Sequence, residues 1–216
     1  MFPHRVVLLF FGALALSAQP IPGESKVEIE NRYVRVLRTR LPPHGQTPLR
    51  DRAERVIVCL TPVHIRMVSA AGEAEELVKQ AGEVAYFGPT ADSEDNLANE
   101  PAEYVVIELK PERIHSAPVK LDPVKLDPEH HTVPLENARV RVLRTVLEPH
   151  IKSPVHDHPS YVVVYLTELH TRMRLADGRT VDNPRKPGEI AWRDAYQHQT
   201  ENIGDHTAVE IQVEMK

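Results

Sequence analysis

Hydrophobic and polar positions alternate along much of this chain with a period of two, which puts successive side chains on opposite faces of a β-strand. Val34 to Arg38 (Val-Arg-Val-Leu-Arg), Thr171 to Leu175 (Thr-Arg-Met-Arg-Leu) and Ala208 to Met215 (Ala-Val-Glu-Ile-Gln-Val-Glu-Met) follow this pattern. Tyr161 to Leu166 is a continuous β-branched and aromatic run. Gly, Pro, Asn and Asp bound these segments, and Ala176-Asp177-Gly178 is a hairpin signal. About seven or eight short strands in about 85 residues predict a small antiparallel sandwich or barrel.

The pattern occurs twice. Val27 to His44 lines up with Val133 to His150, both running Glu-Asn-x-x-Val-Arg-Val-Leu-Arg-Thr in their centres. The same offset holds without a gap through Leu60/Leu166, Gly82-Glu83/Gly188-Glu189, Asn96/Asn202 and Glu108-Leu-Lys110/Glu214-Met-Lys216. Identity over the aligned stretch is roughly one position in three, which marks an internal repeat. Gly72 to Gln80 has some helical character, but its counterpart Gly178 to Lys186 contains Asn183-Pro184, so both are expected to be turn and linker. The expected layout is a leader over 1–18, a first domain over 19–110, a connector over 111–131 and a second domain over 132–216. Val-Lys-Leu-Asp-Pro occurs in tandem at 119–123 and 124–128, which suits an extended connector.

Composition narrows the class. The chain is 41% hydrophobic and 26% charged with a net charge of −5, so it offers no basic field for nucleic acid or an anionic membrane. Arg5 followed by the apolar run Val6 to Ala18 and small residues has the layout of a secretory signal peptide, which implies a secreted or periplasmic protein. The run is too short to span a bilayer, for which about 20 residues are needed. The single cysteine, Cys59, has no partner within the chain and sits in an apolar run, as a buried small side chain would.

The repeat also serves as a control for chemistry. His44/His150 and His64/His170 occur in both copies and so read as structural or exposed. His156, His158 and His198 occur only in the second copy, opposite Arg50, Arg52 and Asp92. His156 and His158 stand at i and i+2, on one face of a strand, and His198 comes from a separate strand and turn. Three imidazoles from two strands can bind Fe, Zn, Mn, Ni or Cu and leave positions open for water or substrate. The first copy, with two guanidiniums and a carboxylate in those places, is expected to hold no metal; its three side chains form a salt-bridged cluster or an anion site.

The doubled β-domain, His156-x-His158 in the first half of the second copy and His198-x-x-x-Asn202 in its second half resemble the cupin superfamily, and the duplication resembles a bicupin. The resemblance covers residues 26–110 and 132–216. It implies two tandem double-stranded β-helix, or jelly-roll, barrels, with His156, His158 and His198 as ligands of a divalent ion inside the second. It further implies oxygen-dependent cleavage of a small organic substrate as the commonest chemistry, with decarboxylation and isomerisation as runners-up. The alternative is a non-catalytic module that binds a sugar or small ligand, or a structural protein with a vestigial site. The chain departs from the family pattern: Val162 and Val163 stand where a Glu ligand is usual, His150 where a glycine is, and Arg193 and Ala195 replace the Pro-x-Gly before the last His.

If the strand continued in phase from His158, Ser160, Val162 and Val164 would point inward and make the cavity apolar. Tyr161, Val163 and Tyr165 would then face the sister copy. Tyr196 and Glu201 are the nearest candidates for proton transfer, with Tyr161 and Asp157 behind them, although Asp157 should point away from its two His neighbours. Tyr165 and Trp192 are expected to be packing residues. A small-molecule ligand or substrate is the expected partner; pairing of two chains into a homodimer is left open.

Overall fold

The computed structural model describes residues 22–114 and 118–216; the leader over 1–18 lies outside the described residues. The first copy folds into β1 (Glu24–Glu30), β2 (Val34–Leu41), β3 (Arg50–Arg52), β4 (Arg55–Cys59), β5 (Val63–Ser69), β6 (Ala74–Lys79), β7 (Val84–Phe87), β8 (Thr90–Asn96) and β9 (Ala102–Leu109). A four-residue helix, α1 (Pro123–Leu126), follows in the connector. The second copy repeats the series as β10 (His131–Glu136), β11 (Val140–Leu147), β12 (His156–His158), β13 (Tyr161–Tyr165), β14 (Leu169–Leu175), β15 (Thr180–Arg185), β16 (Ile190–Arg193), β17 (Tyr196–Asn202) and β18 (Ala208–Met215).

Each copy makes a five-stranded and a four-stranded sheet, in the orders β1-β2-β9-β4-β7 with β3-β8-β5-β6, and β10-β11-β18-β13-β16 with β12-β17-β14-β15. Neighbouring strands within each sheet run antiparallel, and sequential strands often lie in opposite sheets, which is the jelly-roll arrangement. The two barrels are therefore cupin-like, as the repeat and the histidine spacing predicted.

Three expectations change. Residues 74–79 and 180–185 are strands, not turn and linker. Pro184 sits there because β15 is the edge of its sheet, where a missing N–H breaks no ladder on the outer side. The inward face of β13 is also the opposite of the one expected. Pro159 and Ser160 separate β12, in the four-stranded sheet, from β13, in the five-stranded one, and the alternation restarts across that corner. Tyr161, Val163 and Tyr165 consequently pack inside the barrel. The even-numbered Val162 and Val164 join Val140, Val142, Ile211 and Val213 against Val34, Val36, Val56, Val58, Val105 and Ile107 of the first copy. This core between the barrels is almost entirely β-branched, which suits two pleated faces packing on each other. Fully burying each such side chain contributes about 1.5–3 kcal/mol.

Contacts around this core are reciprocal. Arg38 of the first copy donates to the Gly188 carbonyl, and its counterpart Arg144 donates to the Gly82 carbonyl at 3.4 Å. Both glycines have positive φ (79° and 81°), and a Cβ on Gly82 would lie 2.8 Å from Arg144 Nη1. A side chain there would meet both a strained backbone and a close neighbour across the interface. Tyr33 stacks on Trp192 with ring centroids 6.0 Å apart, so Trp192 packs as expected, across the two copies.

Candidate metal centre

Register builds the site. β12 pairs with β17 so that His156 lies directly opposite His198 and His158 opposite Tyr196. Directly opposed residues on one sheet face have Cβ atoms about 5 Å apart, and residues two apart on a strand share that face. The three imidazoles must then converge. Their ring centroids are 4.9 Å (His156–His158), 4.5 Å (His156–His198) and 5.3 Å (His158–His198) apart. All three side chains are buried, and one ring nitrogen from each lies within 4.8 Å of the others. Two nitrogens that each sit about 2.1 Å from an ion are at most about 4.2 Å apart, so only a small inward closing would complete a first shell.

The rings are held with nitrogens free. His156 Nδ1 donates to the Pro154 carbonyl at 2.8 Å, which leaves Nε2 as its lone-pair nitrogen. His158 Nδ1 donates to Glu214 Oε1 at 2.7 Å, and its Nε2 is buried without a partner; His198 Nδ1 is likewise buried and unpartnered. Orphaned buried nitrogens are rare and costly, and an ion would satisfy them. Burial away from water pushes His198 down to about 3 and lowers His156 and His158, the last further pushed by its neighbouring imidazoles. All three are thus neutral at pH 7, which is the form that binds metal.

Two residues packed against the cluster are not evident from the histidine pattern. Glu214, on β18, orients His158 from behind; burial raises its carboxyl to about 7. It recurs as Glu108 in the first copy, so the repeat comparison assigns it to the fold. His131 opens β10, is buried, and places its ring 5.4 Å from His156 at an interplanar angle of 65°. Its Nδ1 donates to the Asp127 carbonyl at 3.2 Å. Its counterpart is Ser25, so the repeat comparison would have singled it out had the connector been ended one residue earlier.

The proton-transfer candidates divide. The Tyr196 ring stacks 4.5 Å from His198, and its hydroxyl is 2.9 Å from that of Tyr161; burial raises Tyr196 to about 12. Glu201 is not brought to the cluster. It alternates out of phase with His198 and pairs with Lys152 at 3.2 Å. Asp157 points away, as strand alternation requires, and accepts hydrogen bonds from Gln197 Nε2, Leu121 N and Lys120 N, which tie the connector to β12. Asn202 is structural: its side chain donates to the Leu147 and His206 carbonyls, as Asn96 does to Leu41 and Glu100.

Beside His198 the barrel encloses a cavity of about 30 Å³, lined among others by Tyr161, Tyr165, Arg193, Tyr196, Glu210 and Gln212. It is polar, contrary to the apolar cavity expected, because the inward face of β13 carries the tyrosines. Tyr165 therefore lines the cavity as well as packing. Larger hollows of about 360 and 330 Å³ open on the surface around His170 and between the barrels, and neither touches the three histidines.

In the first barrel the corresponding place is filled by ions of both signs. Arg52 pairs with Asp92 at 3.1 Å and Glu94 at 2.9 Å, and Arg55 pairs with Asp92 at 2.9 Å. Arg50 makes no ion pair among the described residues, and burial beside Arg52 lowers its pKa. The cluster resembles the salt-bridged one expected, with Arg55 and Glu94 added and Arg50 left aside. Cys59 is buried there, and burial pushes its thiol up to about 12, so it is an inert core group. Duplicated His44 and His150 both occupy left-handed turns (φ 55° and 66°), consistent with a structural role.

Fold and site together define a cupin-like, two-barrel protein whose second barrel carries a buried cluster of three histidines. Among solved structures, AerE from Microcystis aeruginosa superposes with a TM-score of 0.68 at 8% identity, covering 93% of this chain and 95% of that one. Oxalate decarboxylase from Bacillus subtilis at pH 4.6 superposes at 0.64 with 14% identity over 92% of this chain and 73% of that one. A further structure of the Bacillus subtilis enzyme, from work on its Mn(II) centres, gives 0.61 at 13% identity over 93% and 78%. At these identities the likeness is one of fold. No protein-family model matches the sequence, and no curated protein matches it.

Proposed function

We propose that this is an exported, metal-dependent bicupin whose second barrel holds one divalent ion at His156, His158 and His198 and acts on a small organic molecule. The observation that carries the reading is the buried cluster of three neutral imidazoles with two unpartnered ring nitrogens. A bound ion would supply Lewis acidity and a template for substrate at its open positions. The chain supplies the rest: Glu214 and the Pro154 carbonyl fix two rings, and the Tyr161–Tyr196 hydroxyl pair stands next to the cluster. The first barrel serves as scaffold, its vacated site closed by ion pairs.

Manganese and iron are the first ions to test, because the structurally similar oxalate decarboxylase of Bacillus subtilis has Mn(II) centres and the resemblance favours oxygen chemistry at iron. The reaction class we put first is oxygen-dependent, dioxygenase-like cleavage, with decarboxylation next. Elemental analysis of tag-free protein tests the site: about one ion per chain is expected, lost in a His156→Ala/His198→Ala double variant. A wild-type protein purified without metal, and unable to take up Mn, Fe, Zn, Ni or Cu, would remove this reading. Oxygen uptake against a panel of small carboxylic acids and phenols tests the reaction class. N-terminal sequencing of the mature protein tests export.

A further inference from the structure

The two barrels share one backbone plan, so their interiors can be compared position by position. Inside the first barrel Ile65, Leu77, Phe87 and Val106 belong to or pack against an apolar core. Their counterparts in the second are Thr171, Asn183, Arg193 and Gln212, and all four line the cavity beside His198. A buried polar group in place of an apolar one costs stability unless it is well partnered. The plan evidently folds with the apolar set. Polar exchanges concentrated on the lining of one cavity therefore serve something that enters it.

Arg193 gives the charge. Its Nη2 donates to Tyr165 Oη at 3.4 Å and to Asn183 Oδ1 at 3.3 Å, both neutral groups, and among the described residues it forms no ion pair. Glu210, whose counterpart is Tyr104, lines the same cavity and accepts from Gln212 Nε2 at 2.7 Å, again with no ion pair among the described residues. Nearby Arg185 lies over the Tyr165 ring and pairs with Glu189 at 3.6 Å. The cavity thus offers one guanidinium and one carboxyl group, neither of them held in a direct ion pair among the described residues. A space of about 30 Å³ holds about two or three waters, so it suits a ligand of only a few heavy atoms.

We propose that this cavity recognises a small monocarboxylate bearing a hydroxyl or amino group, its carboxylate on Arg193 and its hydroxyl or amino group on Glu210 and Gln212, and that it disfavours dicarboxylates. The inference deepens the metal-site reading and rests on it only for where the reacting end of the molecule lies. Guanidinium–carboxylate pairing is the strong, oriented contact. A second carboxylate would be driven against Glu210, which is a repulsive selection device. Burial raises Glu210 to about 7, so near neutrality its protonated form donates to a hydroxyl, while its ionised form accepts and is the one that repels a second carboxylate.

The test is calorimetric titration of the full chain with glycolate, glycine, acetate and oxalate, with and without prior chelation, and metal content measured in parallel. Wild type should bind glycolate or glycine more tightly than acetate or oxalate. Arg193→Gln should weaken that binding by about tenfold or more while retaining wild-type metal content. Glu210→Gln should narrow the gap between oxalate and glycolate. Arg193→Phe, which installs the residue of the sister barrel, supplies a second variant if Arg193→Gln misfolds. Unchanged glycolate and glycine binding in a folded, metal-replete Arg193 variant would overturn the proposal and leave the metal reading intact, as would no binding of either by wild type or a wild-type preference for oxalate. Arg193-dependent binding by a chain that takes up no metal would instead uphold it and defeat the metal reading.

Discussion

Single side chains decide how the second barrel differs from the first. Glu214 holds His158 by a 2.7 Å hydrogen bond from behind, and partners of this kind typically tune metal affinity 10–100-fold. Glu214→Gln is expected to weaken metal binding by about that range, measured by competition with a chelator, whereas Glu108→Gln leaves it unchanged. Glu210 has a consequence for stability. Its folded-state pKa is raised from 4.5 to about 7, so its contribution is fully present below about pH 4.5 and lost as pH rises through 7. Gln mimics the protonated form, so metal-free Glu210→Gln should match wild type near pH 4.5 and exceed it by about 3 kcal/mol at pH 8 in denaturant melts. The three clustered histidines were legible from sequence because they stand only in the second copy, opposite two arginines and an aspartate in the first. Glu214 was hidden by the same comparison, since a residue that recurs looks like scaffold: it keeps the arginine partner of its counterpart Glu108 (Arg141 for Arg35) and gains His158 as a second.

At the level of elements, strand periodicity gave the alternation but not the corner where it restarts. Pro159 and Ser160 move the chain from one sheet to the other, and that switch turns Tyr161 and Tyr165 inward and Val162 and Val164 outward. Tertiary context likewise made a strand of 180–185 despite its proline, because the edge of a sheet tolerates the missing donor. Register, which local sequence does not encode, sets His156 against His198. β18 shows how one strand serves both purposes: Glu210, Gln212 and Glu214 face the barrel while Ile211 and Val213 face the sister copy. Ile211→Ala should cost about 2–5 kcal/mol in a urea melt through the cavity it opens, with metal content per folded chain unchanged.

On the scale of the whole molecule, the reciprocal Arg38/Gly188 and Arg144/Gly82 contacts and the shared valine core relate the copies as two subunits of a dimer would be related. Duplication was plain in the sequence; which face joins the copies was not, because both faces of β4, β9 and β13 are largely apolar. The connector is also more than a tether, since Leu121 and Lys120 bond Asp157 on the strand that carries two of the histidines. The valine core has a genetic consequence. The half without the histidine cluster still covers the wall of the half that carries it, so, on the proposed function, a screen for loss of function should recover lesions throughout the gene. Those in the first half are expected to lower the amount of soluble protein, and those around the histidines to lower the metal carried by each surviving molecule, a distinction that quantitative immunoblotting beside elemental analysis would draw.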